Sequence, residues 1–370
     1  MIALLPSDVA VLALDLPGHG HSSHFPIGQF YHVLWDGLLS LRRIVKYYKW
    51  TKVSQQTKVI QRLFYPFNLF NWSEKIYFLS KWWGPKGIQP IMALHGRQDN
   101  AGSFDTLIPL LPDDISVLCV DMPGHGLSSH YPKGHYYYVY WDGITLLRRI
   151  IKHFSWSKAK LLGHSLGGAI SFLYAASYPD EVEFLISIDI AGPSVKNITE
   201  SAGITGVTVD RFLKYERLEF DSVPSYTYDE ALQIVEDAYQ GSITKESAAI
   251  LMKRGTRPSS EPKRYCFSRD ARLKVSLLSM PSMDLLLAYA AKITCAYLNI
   301  RASNGLKYDR PENYNEILDH IKIGAKRFEY HEVEGTHHVH LNNPERVAPL
   351  IAKFIIATRR CNVFKENYSL

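Results

Sequence analysis

From about residue 75 to residue 192 the chain alternates short apolar runs with amphipathic stretches, and the alternation resumes near residue 291. Lys75–Trp83, Pro90–Leu94, Ile115–Val120, the run ending at Gly163, and Val182–Ile190 read as strands. Their nearly unbroken apolar character is that of strands covered on both faces, as in a parallel sheet. Ser103–Leu111 reads as a short helix after Gly102. Tyr136–Phe154 reads as a longer one, with Leu146, Leu147, Ile150 and Ile151 on one side. Further on, residues 293–300 predict a strand, 314–325 a helix, 327–333 a strand, and 344–358 a closing helix with Pro344 near its first turn. Strands alternating with helices predict an α/β fold around a mostly parallel sheet. Residues 193–290 break the pattern: they are helical in propensity, interrupted by polar residues, and hold no convincing buried strand. They read as a helical cap inserted into a core of residues 74–192 and 291–370.

The N-terminal part follows a different logic. Residues 4–53 repeat residues 110–159 without gaps, with about 28 of 50 positions identical. The shared positions include Asp-x-Pro-Gly-His-Gly-x-Ser-Ser-His, Trp-Asp-Gly and Leu-Arg-Arg-Ile. Residues 1–53 thus read as a truncated duplicate of 107–159, and 54–73 as a linker with a short amphipathic piece, Val59–Phe70, broken by Pro66. One strand and one helix cannot bury their own apolar face. The duplicate is therefore expected to be a remnant, and removal of residues 1–70 to leave a folded, equally active protein.

Composition narrows the classes. Of 370 residues, 46% are hydrophobic and 12% aromatic, enough for a sizeable core. The net charge of +6 is spread over scattered pairs such as Arg148-Arg149, so a solvated basic surface is expected and no nucleic-acid partner. Four widely spaced cysteines contain no C-x-x-C, which argues against a zinc site or a disulfide framework, and Cys119 and Cys295 read as small core residues. No apolar run approaches a membrane span. Met1 is followed by no recognisable leader, which points to the cytoplasm, with peroxisomal or secreted destinations left open.

The chemistry centres on Gly163-His164-Ser165-Leu166-Gly167, placed between an apolar strand and a helix-forming run. That is the context of a nucleophile elbow: a tight turn holds the serine Oγ clear of the backbone at a helix N-terminus, where free N–H groups favour developing negative charge. A base and an orienting acid are then needed. His337, directly after the last strand in Gly335-Thr336-His337-His338-Val339-His340, is the first choice for the base, with His338 second. The histidine cluster lacks an acidic third ligand in its neighbourhood, so no metal is expected. Asp189, closing the strand after the elbow helix, is the preferred acid, with Asp309 beyond the next-to-last strand as the alternative. Asn304 there is a poor substitute. The backbone N–H groups of Leu166 and Arg97 are the expected oxyanion donors. Asp121 and His125, in Asp121-Met122-Pro123-Gly124-His125-Gly126, read as loop braces.

These motifs, together with Lys81-Trp82-Trp83-Gly84-Pro85 and His95-Gly96-Arg97-Gln98-Asp99-Asn100, resemble those of the α/β-hydrolase superfamily, and within it the serine hydrolase-like (Kraken-like) group. The resemblance covers about residues 74–358. It implies a Ser-acid-His triad, a helical cap over the site and no cofactor. Arg97 stands where that group usually has an aromatic residue. The resulting expectation is a serine hydrolase acting on a small or medium carboxylic ester. Alternatives are a catalytically weak or inactive ligand-binding protein on the same fold, and an amide or C–C bond hydrolase with the same triad.

Overall fold

The computed structural model describes residues 66–73, 76–195, 198–218, 223–275, 280–305 and 311–368. The chain divides into two units, Met1–Phe64 and Tyr65–Leu370, and every described residue belongs to the second. The duplicate, residues 1–53, lies outside the described residues.

The main sheet is built from β1 (Pro66–Ser73), β2 (Ile76–Trp83), β3 (Ile91–Leu94), β4 (Val117–Val120), β5 (Ala159–His164), β6 (Val182–Ile188), β9 (Ala296–Asn304) and β10 (Arg327–Thr336). Two further strands, β7 (Thr256–Pro258) and β8 (Tyr265–Phe267), form a separate antiparallel pair. The order in the main sheet is β1-β2-β4-β3-β5-β6-β9-β10. β2 runs antiparallel to both of its neighbours, and the remaining contacts are parallel.

The period of two along each strand divides the core into two layers. Met92, Leu94, Leu118, Val120 and Leu161 point to one side. There they meet α1 (Val139–His153), α2 (Leu166–Ser177), α6 (Met283–Ala290) and α7 (Pro311–Gly324). Ile91, Ala93, Val117, Cys119 and Leu162 point to the other side, onto Ile351, Phe354 and Ile355 of α9 (Ala348–Tyr368). All four residues of β3 and of β4 are buried, which is why these strands read as unbroken apolar runs. Leu146, Leu147, Ile150 and Ile151 are buried on α1 as the spacing predicts. Cys119 and Cys295 are buried core residues.

The cap contains α3 (Ile198–Glu216), α4 (Tyr228–Ala238), α5 (Lys245–Gly255) and the β7–β8 pair. It has its own small core, in which Leu232, Val235, Leu251 and Met252 pack with Leu341. Among the described residues, no helix is long and apolar enough to cross a membrane.

Four details depart from the sequence-based expectations. Pro66–Ser73, assigned to the linker, is the edge strand β1, so a cut after residue 70 would remove most of that strand. The cap carries a strand pair: its strands are three residues long and only partly buried, too short for a periodic signal. Core structure resumes at α6 rather than at residue 291, with Leu286 and Ala290 packed in the same cluster as α2. Finally, Ser103–Leu111 forms two short 3-10 turns, Ala101–Phe104 and Ile108–Leu110, with Pro109 breaking the run.

Candidate active site

β5 delivers the chain to Ser165, which takes φ 50° and ψ −118°, a left-handed conformation unusual for a side-chain-bearing residue. The turn is held on both sides: Ser165 N donates to the Ile188 carbonyl at 3.2 Å, and Ala169 N to the Ser165 carbonyl at 3.0 Å. Gly167 N donates to the His95 carbonyl at 3.1 Å. A Cβ at Gly167 would run into the Leu94 carbonyl oxygen, so glycine there lets α2 seat against the end of β3. The N–H groups of Leu166 and Arg97 border the same space and meet no acceptor among the described residues.

One strand along, Asp189 directly follows the last residue of β6 and is also left-handed at φ 52°. Its N–H donates to the Ile300 carbonyl at 2.7 Å, and its Oδ1 accepts from Ala302 N at 2.9 Å. Oδ2 lies 2.6 Å from His337 Nδ1, with the carboxylate almost fully buried. Gly305 backs this carboxylate so closely that any side chain there would displace it. The carboxylate therefore orients the His337 ring with Nδ1–H toward it and leaves Nε2 as the basic nitrogen. Ser165 and His337 line one cavity of about 990 Å³, whose walls also include Arg97, Leu166, Val235 and Tyr239. The fold thus brings Ser165, His337 and Asp189 to one end of the sheet. Asp309 lies outside the described residues. Asn304 is part of the cavity wall. Both ring nitrogens of His338, which also lines the cavity, are engaged: Nδ1 is 2.6 Å from Ser242 Oγ and Nε2 is 3.3 Å from Asp99 Oδ2.

Arg97 lines the cavity, and its guanidinium donates to the carbonyls of Leu273, at 3.0 Å, and Val275, tying the loop after β3 to the cap.

Asp99 is the hub of a buried polar network that sequence reasoning missed. It accepts from the Tyr239 hydroxyl at 2.5 Å and faces His338 Nε2 and His164 Nδ1, the latter at 3.6 Å. Burial alone would raise its carboxyl, but the facing imidazoles hold it well below the usual carboxylate range. His164 Nε2 donates to the His337 carbonyl at 2.9 Å, so the network grips the backbone that presents the His337 ring. The ligand atoms of Asp99, His164 and His338 lie within 4.8 Å of one another, a spacing that suits a metal ion. The acidic partner missing from the local sequence around His338 is thus supplied from 239 positions away. The position of Asp99, four residues after His95 in a strand-end loop, was the available signal.

Asp121 and His125 brace the loops. Asp121 accepts from Ala101 N at 2.7 Å and Leu127 N at 2.9 Å. It also takes Nε and Nη2 of Arg254, at 3.1 and 2.5 Å, from α5. Both side chains of that pair are buried, so the cap is fastened to the core by an ion pair shielded from water.

Burial pushes both His125 and His164 down to about 3 from the ordinary 6.5, with the charges of His95 and His337 respectively as the next contribution. The unfolded chain therefore takes up protons below about pH 6.5 that the folded chain refuses. Stability is complete above pH 6.5 and falls as the pH drops toward 3. The thermal midpoint is expected to decline across that window, and less steeply in His125→Gln. An equal slope in the variant would show that His125 does not titrate on unfolding.

A profile described as alpha/beta hydrolase fold matches residues 89–215. A "Probable serine hydrolase" of Drosophila melanogaster is 52% identical over 276 residues, 75% of this chain and 83% of that protein. "Serine hydrolase-like protein 2" of Homo sapiens is 30% identical over 301 residues, covering 76% and 91%. A crystal structure of a hypothetical protein from Pseudomonas aeruginosa matches with a TM-score of 0.66 at 28% identity, covering 77% of this chain and 96% of that one. With this sheet order, a serine at the sharp turn after β5 and relatives matched over most of their length, the chain belongs to the serine hydrolase-like group of the α/β-hydrolase family.

Proposed function

We propose that the protein is a cofactor-independent serine hydrolase that cleaves a small or medium carboxylic ester through an acyl-enzyme on Ser165. The observation that carries this reading is the 2.6 Å contact between His337 Nδ1 and Asp189, with His337 and the left-handed Ser165 opening on one cavity. His337 Nε2 takes the Ser165 proton as Oγ attacks the ester carbonyl, and the N–H groups of Leu166 and Arg97 stabilise the oxyanion. His337 then protonates the departing alcohol. Water, deprotonated by the same imidazole, attacks the acyl carbon and releases the acid and Ser165. The buried Asp189 keeps the ring in the useful tautomer and offsets its positive charge. Family membership and fold support hydrolase activity in general, and the ester is the more specific reading proposed. Amides and C–C bonds activated by a neighbouring carbonyl are substrates for the same residues, and a substrate panel separates them.

The test is reaction with a fluorophosphonate probe followed by peptide mapping. Labelling is expected at Ser165, absent in His337→Ala, and slower by about 10⁴-fold in Asp189→Asn, whose amide favours the wrong tautomer. A folded wild-type protein that takes no label at Ser165 would refute the mechanism and favour a ligand-binding role.

A further inference from the structure

Arg269 follows β8 in the cap and lines the same cavity as Ser165 and His337. Its guanidinium lies over the Phe267 ring, 4.9 Å from the centroid. Nε is sealed from solvent and has no hydrogen-bond partner, and no acceptor among the described residues takes any other Arg269 N–H. The other arginines around the site are all engaged. Arg97 donates to the Leu273 and Val275 carbonyls, Arg254 to Asp121, and Arg272 to Asp270 and the Pro132 carbonyl. Of these four, Arg269 is the one whose terminal Nη donors meet no acceptor among the described residues while it lines the cavity.

A guanidinium carries five N–H donors in a rigid plane; in half-buried Arg269 the Nε donor is sealed from solvent with no partner, which is unfavourable, and the Nη donors are left for solvent or a ligand. Asp99 does not resolve this. Its oxygens face Tyr239 and His338, and no ion pair within 4.0 Å joins it to Arg269 among the described residues. Asp99 acts at longer range: burial lowers the proton affinity of Arg269, and the negative field of Asp99 opposes that and favours the cation. The result is a held positive charge whose hydrogen-bonding capacity is left for something that enters the cavity. A planar pair of guanidinium N–H groups matches the two oxygens of one carboxylate, and the single charge of one guanidinium balances that of one carboxylate.

We propose that Arg269 binds a carboxylate carried by the substrate, so that the site selects esters bearing an anionic carboxylate away from the scissile carbonyl. The cap would hold the acid end while the ester faces Ser165. This inference rests on the hydrolase reading for its chemistry, but the anion site is measurable without turnover.

Two measurements test it. In kinetics, p-nitrophenyl hemiglutarate is compared with the neutral p-nitrophenyl hexanoate. The wild type is expected to favour the hemiglutarate by at least about tenfold in kcat/KM, and Arg269→Met to lose about 30-fold or more on it, abolishing the preference. Arg269→Lys, which keeps the charge without the fork, is expected to recover part of the loss, which a simple folding defect would not allow. In calorimetry, glutarate is titrated into Ser165→Ala and into Ser165→Ala/Arg269→Met, and binding is expected in the first alone. Equal glutarate binding by the two proteins, or binding by neither, overturns the proposal. So does a hemiglutarate preference unchanged by Arg269→Met. Failure of the hydrolase reading looks different: neither ester is turned over, while glutarate binding still depends on Arg269.

Discussion

Ser165→Ala is expected to lower ester turnover by at least about 10³-fold, and up to about 10⁶-fold if the triad acts as one unit. The thermal midpoint should stay within about 2 °C, because a single exposed-side substitution without packing loss rarely moves stability far. The substitution removes only Oγ. The backbone bonds that hold the turn, from Ser165 N to Ile188 and from Ala169 N to Ser165, remain. Steady-state hydrolysis of p-nitrophenyl esters and a melting curve on one preparation check both halves. Activity within tenfold of wild type would mean that another group is the nucleophile. A collapse in the melting temperature would mean that the serine is structural.

The largest expected loss of stability lies at the fastening of the cap. Arg254→Met leaves Asp121 buried with its charge uncompensated, at a cost of about 3–5 kcal/mol. For a domain of this size that shifts the midpoint by on the order of 10 °C. Asp121→Asn in the same protein should restore part of the loss, since the orphaned charge is then gone; the recovery is partial because Ala101 N and Leu127 N bond Oδ1 and Oδ2 respectively, and the amide keeps an oxygen for only one of them. Denaturant titration of the two variants measures this. A loss below about 1 kcal/mol in Arg254→Met would mean that water reaches the pair, contrary to its 4% and 0% side-chain exposure.

The parts of this molecule that the sequence disclosed are those whose pattern is local. β3, β4 and β6 are covered on both faces and so carry unbroken apolar runs. The elbow is a five-residue signature, because one sharp turn imposes its small residues at fixed offsets. Asp189 is legible as a strand-end carboxylate. That its Oδ2 meets His337 depends on β9 lying between β6 and β10, a relation no local pattern encodes. β1 was hidden for another reason: an edge strand pairs on one side only, and the run Pro-Phe-Asn-Leu-Phe-Asn-Trp-Ser shows no strict alternation. Arg254 and Arg269 were hidden because a charged residue in a cap segment looks the same whether it faces water or a buried partner. Only the folded chain distinguishes them. The closing helix runs to Tyr368, ten residues past the expected end.

Two of the three proposed catalytic side chains, Ser165 and Asp189, hang from backbone that glycine would adopt more comfortably. A selection for heat resistance alone, blind to activity, would therefore let position 165 drift toward glycine, and position 189 only where the bonds of its carboxylate to Ala302 N and His337 are replaced. A selection for turnover would hold them fixed. The retention of a non-glycine residue at 165 in a randomised library is thus a record of which pressure was applied, and sequencing such a library after each kind of screen would read that record directly.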